Sequence, residues 1–186
     1  MQKTTLLALA VLLLAAASAS AQLPVGQTLS VPDSLRRSYN QVRSFITAQA
    51  EAMPEAEYDF KPTPDVRSFR QLMGHIADYN YIFCAAGRRV ANPREGRSLE
   101  SLRTKAELLK ALEESFAFCD ATFASVTPAT MLDMVPQNGN EVTRAGSLMP
   151  VIVHDYEEYG YAAVYLRLKG VVPPSTRGTQ AGAPAR

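Results

Sequence analysis

The sequence predicts an all-α fold, a four-helix bundle formed by a single domain. Apolar residues recur at three- and four-residue intervals in four stretches, and strand-like alternation is scarce. The chain has 186 residues, of which 47% are hydrophobic and 20% are charged. This composition excludes collagen-like, low-complexity and wholly disordered proteins. Four amphipathic helices in a chain of this size are typical of a helical bundle.

The first two helices are bounded by residues that favour a helix start or end. The first is predicted to begin at Asp33, a plausible N-cap, and to end at Pro54. The second is predicted to begin near Ser68 and to end at Gly87. The polar Gln49 interrupts the first stripe near its end. The inward stripes comprise Leu35, Tyr39, Val42, Phe45, Ile46 and Met53 in the first helix, and Phe69, Leu72, Met73, Ile76, Tyr79, Asn80 and Phe83 in the second.

The third helix opens with a capping box. The Thr104 hydroxyl can cap the first turn, and Glu107, three residues later, can reach back to it. Pro128 ends the run. The residues expected to face inward are Leu108, Leu109, Leu112, Phe116, Cys119 and Phe123.

The fourth helix is predicted to run from about Gly146 to Lys169. Gly170 is well placed as a left-handed C-cap residue, and the two prolines that follow cannot continue a helix. Pro150 marks either the first turn of this helix or a kink within it. The face expected to be buried comprises Leu148, Val151, Ile152, Asp155, Tyr159, Ala162, Ala163 and Leu166.

The N-terminal segment has the order of a secretory signal peptide. A charged start at residues 1–5 precedes an apolar run at residues 6–17 and small residues at 18–21, which predicts cleavage after Ala21. Twelve apolar residues are too few for a membrane anchor, since a bilayer core takes about 20. The mature protein is therefore expected to be secreted or periplasmic. Its expected parts are an N-terminal extension at 22–32, the bundle at 33–175 and a disordered tail at 176–186.

The charge balance limits the classes of partner. Lys and Arg total 19 and Asp and Glu total 18, so no positive field is available to collect nucleic acid or anionic membrane. We therefore expect no nucleic-acid partner and no membrane association after signal cleavage. A small molecule of unknown identity is the expected substrate or ligand, and a homodimer remains open.

Two cysteines, Cys84 and Cys119, are present in a chain that is expected to be exported. An oxidising compartment favours a disulfide between them, and each lies in the C-terminal half of its helix, so a bridge would align the second and third helices in parallel. The long connection after Gly87 makes that arrangement possible. The alternative is two small buried side chains that never meet. The absence of a C-x-x-C motif argues against a catalytic redox pair.

One group of residues has the spacing of a metal site. His154 and Glu158 are four residues apart and therefore project from one helix face. His75 is the candidate third ligand, and two imidazoles with one carboxylate suit Zn²⁺, Fe²⁺ or Ni²⁺ with positions open for water or substrate. The alternative is a pair of hydrogen-bonded core histidines and a solvated ion pair. Further carboxylates lie nearby in sequence, where most face water: Asp78, Asp155 and Glu157.

Four segments together resemble one protein family. They are residues 58–69, residues 71–78 around His75, residues 154–160, and residues 165–175 with their Gly-Val-Val-Pro-Pro-Ser ending. These segments resemble the DinB-like family of metalloenzymes, and the resemblance spans residues 31–175. It implies a four-helix bundle in up-down-down-up order with long crossover connections.

The family resemblance also implies a divalent metal held by three histidines. One lies on the second helix and two, four residues apart, lie on the fourth; His75 and His154 match the first two positions. Glu158 occupies the third position, so either a carboxylate replaces an imidazole as ligand or this branch has lost the metal. The cysteine pair resembles that of exported members.

The resemblance implies a thiol-dependent activity, whereas the expected export of the protein favours hydrolysis. Family activities include transfer and isomerisation that depend on a low-molecular-weight thiol, such as bacillithiol or mycothiol, but these thiols are cytoplasmic. Metal-dependent hydrolysis fits an exported protein better. The alternative function is a metal-free bundle that binds a small molecule or a partner.

Overall fold

The computed structural model describes residue 26, residues 28–137 and residues 139–180. The predicted signal peptide and residues 181–186 of the predicted tail lie outside the described residues. Four long helices dominate, together with two short helices and one β-hairpin. In chain order the elements are α1 (Val31–Ala52), α2 (Phe69–Arg88), α3 (Lys105–Ser125), β1 (Met134–Gln137), β2 (Asn140–Thr143), α4 (Arg144–Ser147), α5 (Met149–Leu168) and α6 (Pro174–Gln180).

The start of α1 differs from the prediction. Ser30, not Asp33, is the N-cap, and its hydroxyl accepts a hydrogen bond from the Asp33 N–H at 3.2 Å. The helix begins earlier because Pro32 is tolerated in the first turn, where its missing N–H would have no partner. Asp33 instead places its carboxylate in the first turn, where the helix dipole stabilises negative charge.

The other predicted helix boundaries are close to the observed ones. Ser68 and Thr104 each form a complete capping box at the start of α2 and α3. Pro150 lies in the first turn of α5, so the helix is not kinked there. Gly170 follows the end of α5 with φ of 72°, the left-handed conformation that glycine favours. The predicted fourth helix is divided at Leu148 into α4 and α5.

The predicted order of the bundle, up-down-down-up, is confirmed. α2 and α3 lie side by side and parallel: Asn80 donates to Ser115 at 3.2 Å, and four residues further along each helix a disulfide joins Cys84 to Cys119, with Cα atoms 5.3 Å apart. α1 is antiparallel to α3, as the contacts of Arg43 with Asp120 and of Lys105 with Met53 show. α1 is parallel to α5, with contacts of Gln41 with Tyr156 and of Phe45 with Tyr159. α2 is antiparallel to α5, with contacts of Tyr79 with His154 and of Phe69 with Tyr165.

The connection from α2 to α3, residues 89–104, runs back along the side of α2. The Leu99 N–H donates to both carboxylate oxygens of Asp78, at 3.0 and 2.9 Å. Gly74 allows the close approach, since a Cβ there would lie 2.5 Å from the Leu99 carbonyl oxygen. We call residues 89–104 the crossover; its path brings Glu100 beside α2.

The connection from α3 to α5 contains a hairpin that the sequence analysis did not predict. β1 and β2 pair antiparallel, with Met134 opposite Thr143. Strands of four residues are too short for an alternating pattern to stand out. The dipeptide Asn138-Gly139 was the available signal, because it favours the tight turn of a hairpin, and Gly139 has φ of 76°.

The C-terminal segment also differs from the prediction. The expectation of a disordered tail is wrong at residues 176–180, because α6 covers Pro174–Gln180. Tyr159 donates a hydrogen bond to the Ser175 hydroxyl at 2.6 Å, which ties the start of α6 to α5. Among the described residues, no helix is long and apolar enough to cross a lipid bilayer.

Loss of the disulfide should reduce stability. The bond closes a loop with a sequence separation of 35, so its removal should lower the free energy of unfolding by about 3–4 kcal/mol in the chain-entropy model. Urea unfolding of the wild type with and without reductant measures this difference. The Cys84→Ala/Cys119→Ala variant is the control, since reductant should not change its midpoint. An equal response of both proteins to reductant would contradict the prediction.

Substitution of Gly74 should displace the crossover. In Gly74→Ala the new methyl would meet the backbone of Leu99 and Glu100, so we expect a loss of about 1–3 kcal/mol in unfolding free energy. Gly160→Ala is the matched control: that glycine lies in α5 with no atom within 4 Å of the added Cβ, so alanine there should stabilise by up to about 1 kcal/mol. Similar urea midpoints for the two variants would show that the close approach of the crossover to Gly74 does not affect the free energy of unfolding.

Candidate metal site

The three residues singled out as metal ligands lie together between α2 and α5. The Nε2 atoms of His75 and His154 are 3.3 Å apart. Glu158 Oε1 lies 3.7 Å from His75 Nε2 and 3.6 Å from His154 Nε2. All three side chains are largely removed from solvent. Their role as ligands stays a prediction, but the structure brings all three donor atoms to one point.

The antiparallel packing of α2 and α5 explains this convergence. His154 and Glu158 project from successive turns of α5 toward the face of α2 that carries His75. The Tyr79 ring stacks on His154 with centroids 4.6 Å apart, and the Phe83 ring meets it edge-on at 5.7 Å. These aromatic contacts fix the orientation of the His154 imidazole ring and shield one face of it from water.

Each imidazole faces a carboxylate on its other nitrogen. His75 Nδ1 hydrogen-bonds to Glu100 Oε1 at 2.9 Å. His154 Nδ1 lies 3.6 Å from Asp155 Oδ1, which is beyond hydrogen-bonding distance but close enough for strong attraction. A carboxylate in this position favours the tautomer with hydrogen on Nδ1 and leaves the Nε2 lone pair free for a metal.

Sequence reasoning missed Glu100, and it left two possibilities open for Asp155: a place on the buried face of the fourth helix, or exposure to water. Glu100 was not singled out, because its role depends on the path of the crossover and no spacing rule links it to His75. Asp155 does not face water: it is fully buried, and neither carboxylate oxygen has a hydrogen-bond partner within the described residues. Asp78 binds the crossover backbone, and Glu157 is exposed and accepts from the Tyr161 hydroxyl.

A cation would relieve repulsion among the three converging atoms. When Nδ1 carries the proton in both imidazoles, three acceptors face one another: two Nε2 lone pairs and Glu158 Oε1. Such an arrangement repels itself unless a proton or a metal ion lies among the acceptors. Glu158 Oε2 is also buried and has no hydrogen-bond partner in the described part of the chain.

The pKa shifts of the surrounding groups are compatible with a cation among the three atoms. Burial lowers the pKa of His75, although the hydrogen bond to Glu100 opposes the shift. Burial also raises the pKa of the Glu158 carboxyl, against the charge of nearby His154, and raises that of Asp155 to about 6. Neutral imidazoles suit a metal ligand, whereas the buried carboxyls require a positive charge to remain ionised.

The donor set fits a divalent transition metal. In the plane of the three donor atoms, the point equidistant from all of them lies about 2 Å from each atom. This distance is the length of Zn–N and Zn–O bonds. His75, His154 and Glu158 could therefore hold one ion, and three ligands leave further coordination positions open.

Two clefts border the site. A cleft of about 760 Å³ is lined by His75, and a second of about 670 Å³ is lined by Glu158. Arg67 and Glu100 line both clefts, and the Arg67 Nε donates to both oxygens of Glu100 at 3.2 Å. This ion pair separates the two clefts beside the site.

Solved structures with a similar fold include two DinB-like proteins and one conserved protein. A DinB-like protein from Bacillus cereus has a TM-score of 0.64 and 14% identity, with 75% of this chain and 93% of that chain covered. A conserved protein from Enterococcus faecalis has a TM-score of 0.62 and 18% identity, with 76% and 98% covered. A DinB-like protein from Bacillus subtilis has a TM-score of 0.58 and 20% identity, with 74% and 92% covered.

At these identities the similarity to solved structures shows the fold alone. No curated protein matches the chain. The sequence model of the DinB superfamily matches residues 38–162, a segment that contains the four long helices in large part and includes His75, His154 and Glu158. The match covers well over half of the sequence and agrees with the bundle topology, and the chain therefore belongs to the DinB superfamily.

Proposed function

We propose that this protein is an exported, metal-dependent hydrolase of a small molecule, with one divalent ion held by His75, His154 and Glu158. One observation carries the proposal: three donor atoms from two helices lie within 3.3–3.7 Å of one another. A divalent ion at such a site supplies Lewis acidity, which lowers the pKa of a bound water molecule and polarises a substrate carbonyl.

The surrounding residues prepare the site. Glu100 accepts the Nδ1 proton of His75, and Asp155 faces the Nδ1 of His154, so each imidazole presents Nε2 to the centre. Tyr79 and Phe83 pack against the His154 ring and fix its orientation. A carboxylate at position 158, where the family resemblance expects imidazole, lowers the net charge of the site by one unit and supplies a harder oxygen donor.

The disulfide supports the extracytoplasmic setting and, with it, hydrolysis. Cys84 and Cys119 are bridged in the interior of the bundle, as suits an oxidising compartment. Low-molecular-weight thiols that serve cytoplasmic transferases are scarce there, whereas water is not. In a hydrolysis the water oxygen bonds to the electrophilic carbon of the substrate, the bond to the leaving group breaks, and a proton from water passes to the leaving group.

A metal-free binding module is the second candidate. It is favoured by the His75–Glu100 hydrogen bond and by the aromatic packing around His154, because both would also satisfy core histidines. In that case alanine at either histidine lowers stability whether or not metal is added. In the metalloenzyme, added metal raises the melting temperature of the wild type but not that of the ligand variants.

Metal content tests the proposal directly. The mature chain, purified from the periplasm without tag or chelator, should carry about one divalent ion per chain by elemental mass spectrometry. His154→Ala and Glu158→Ala should lose it, because each removes a donor. Glu157→Ala is the matched control on the same helix and should retain it. Glu158→His should bind at least as well as the wild type.

The opposite outcome is equally clear. A wild type without metal after incubation with Zn²⁺, Ni²⁺ or Fe²⁺ would overturn the metalloenzyme and favour the binding module. Metal that persists in both His154→Ala and Glu158→Ala would place the ion elsewhere.

The carboxylate behind His75 should strengthen metal binding. Loss of this partner in Glu100→Ala should weaken Zn²⁺ affinity by about 10–100-fold, since the imidazole loses its orientation and some basicity. Glu100→Gln, which keeps a hydrogen-bond acceptor, should lose less. Glu95→Gln, an exposed residue of the same crossover, is the control. Competition titration against a chromophoric chelator measures the affinities, and an unchanged Glu100→Ala would show that Glu100 acts only on the fold.

A further inference from the structure

Arg67 has free donor groups at the entrance to the site. Its Nε pairs with Glu100, but its two terminal nitrogens make no hydrogen bond within the described residues. The side chain is 44% exposed and lines both clefts. The Tyr165 hydroxyl donates to the Arg67 carbonyl oxygen at 2.8 Å, which fixes the backbone from which the side chain projects. A guanidinium held in this way presents two parallel N–H groups to an incoming anion.

The cleft that contains Glu158 has an unusually apolar rim. Val66, Tyr161 and Val164 line it, and they are 37%, 52% and 51% exposed to solvent. Leu72 and Tyr165 continue the apolar wall toward the site. Large apolar side chains grouped around one cleft indicate a ligand that covers them.

Two cations, Arg67 and Lys61, and three carboxylates line this cleft. Glu100 is paired with Arg67, and Glu158 belongs to the proposed metal site. Hydrogen bonds that include the Thr63 side chain lower the pKa of Asp65, so this exposed carboxyl stays negatively charged. Lys61 makes no ion pair within the described residues and adds a second cation.

From this arrangement we infer that the substrate is a small amphipathic carboxylate. Its carboxylate binds the terminal nitrogens of Arg67, and its apolar body lies against Val66, Tyr161 and Val164. A cleft of about 670 Å³ is of the size that holds such a molecule. The inference rests on the proposed function, because it places the substrate beside the residues proposed to hold the metal.

Binding of a model compound tests the inference. The probe is 4-phenylbutyrate, and its uncharged amide serves as the matched ligand; affinities are measured by calorimetry on the full mature chain with and without Zn²⁺. Arg67→Gln should weaken binding of the acid by about tenfold in both states, because the charge-assisted hydrogen bonds are lost. The amide should bind the wild type and Arg67→Gln equally.

Two further variants separate the two parts of the site. Val164→Ser should weaken phenylbutyrate but leave the Zn²⁺ affinity unchanged, because the exposed valine contacts only the apolar body. Arg97→Gln is the control, since that guanidinium lines the other cleft only. Full affinity of Arg67→Gln for the acid, or an equal loss in Arg97→Gln, would overturn the inference.

The metal-free and metal-loaded states keep the two proposals apart. Binding that requires Zn²⁺ and ignores Arg67 would show that the probe carboxylate ligates the ion; this overturns the role of Arg67 and leaves the metal site intact. Binding that depends on Arg67 in a protein that takes up no metal supports the carboxylate site and rejects the hydrolase.

Discussion

The parallel packing of α2 against α3 is the constraint on which the rest of the structure depends. Two consecutive helices can run in the same direction only if the chain between them returns along the full length of the bundle. The crossover makes this return in contact with α2, where Gly74 removes the side chain that would block it. Because the crossover is held against α2, Glu100 reaches His75 and Arg67. The outer shell of the proposed metal site is thus a consequence of bundle topology.

Most of the fold and part of the candidate site could be predicted from the sequence. Helical periodicity and capping boxes located the long helices, and four-residue spacing identified the pair on α5. Local rules failed where two interpretations competed, as at Ser30 and Asp33, or where the element was very short, as in the hairpin at 134–143. The role of Glu100 could not be predicted, because its contact with His75 depends on the path of the crossover in the folded protein. The helical spacing of α5 placed Asp155 on the buried face, where the structure has it, but spacing gave no sign that its carboxylate faces the His154 imidazole.

A cation at the proposed metal site would balance the charges of the buried carboxylates around it. Glu100 pairs with Arg67, whereas Asp155 and Glu158 are buried and make no ion pair with a Lys or Arg side chain within the described residues. Burial is the largest cause that raises the pKa of both carboxyls. A dication among the three donor atoms would offset both negative charges at short range, which accounts for two acids and two neutral imidazoles in one apolar interior.

The disulfide between Cys84 and Cys119 also encloses a covalent ring. The ring contains the whole crossover, and its two ends are fixed beside each other in the core with Cα atoms 5.3 Å apart. Insertions or substitutions near residues 91–97 therefore change the shape of a surface loop without altering the direction of α3. Since that loop forms one wall of the cleft lined by His75, a lineage can vary its ligand preference there while the helices and the three donor atoms stay in place. The cross-link thereby allows the shape of this cleft to change while the fold is maintained.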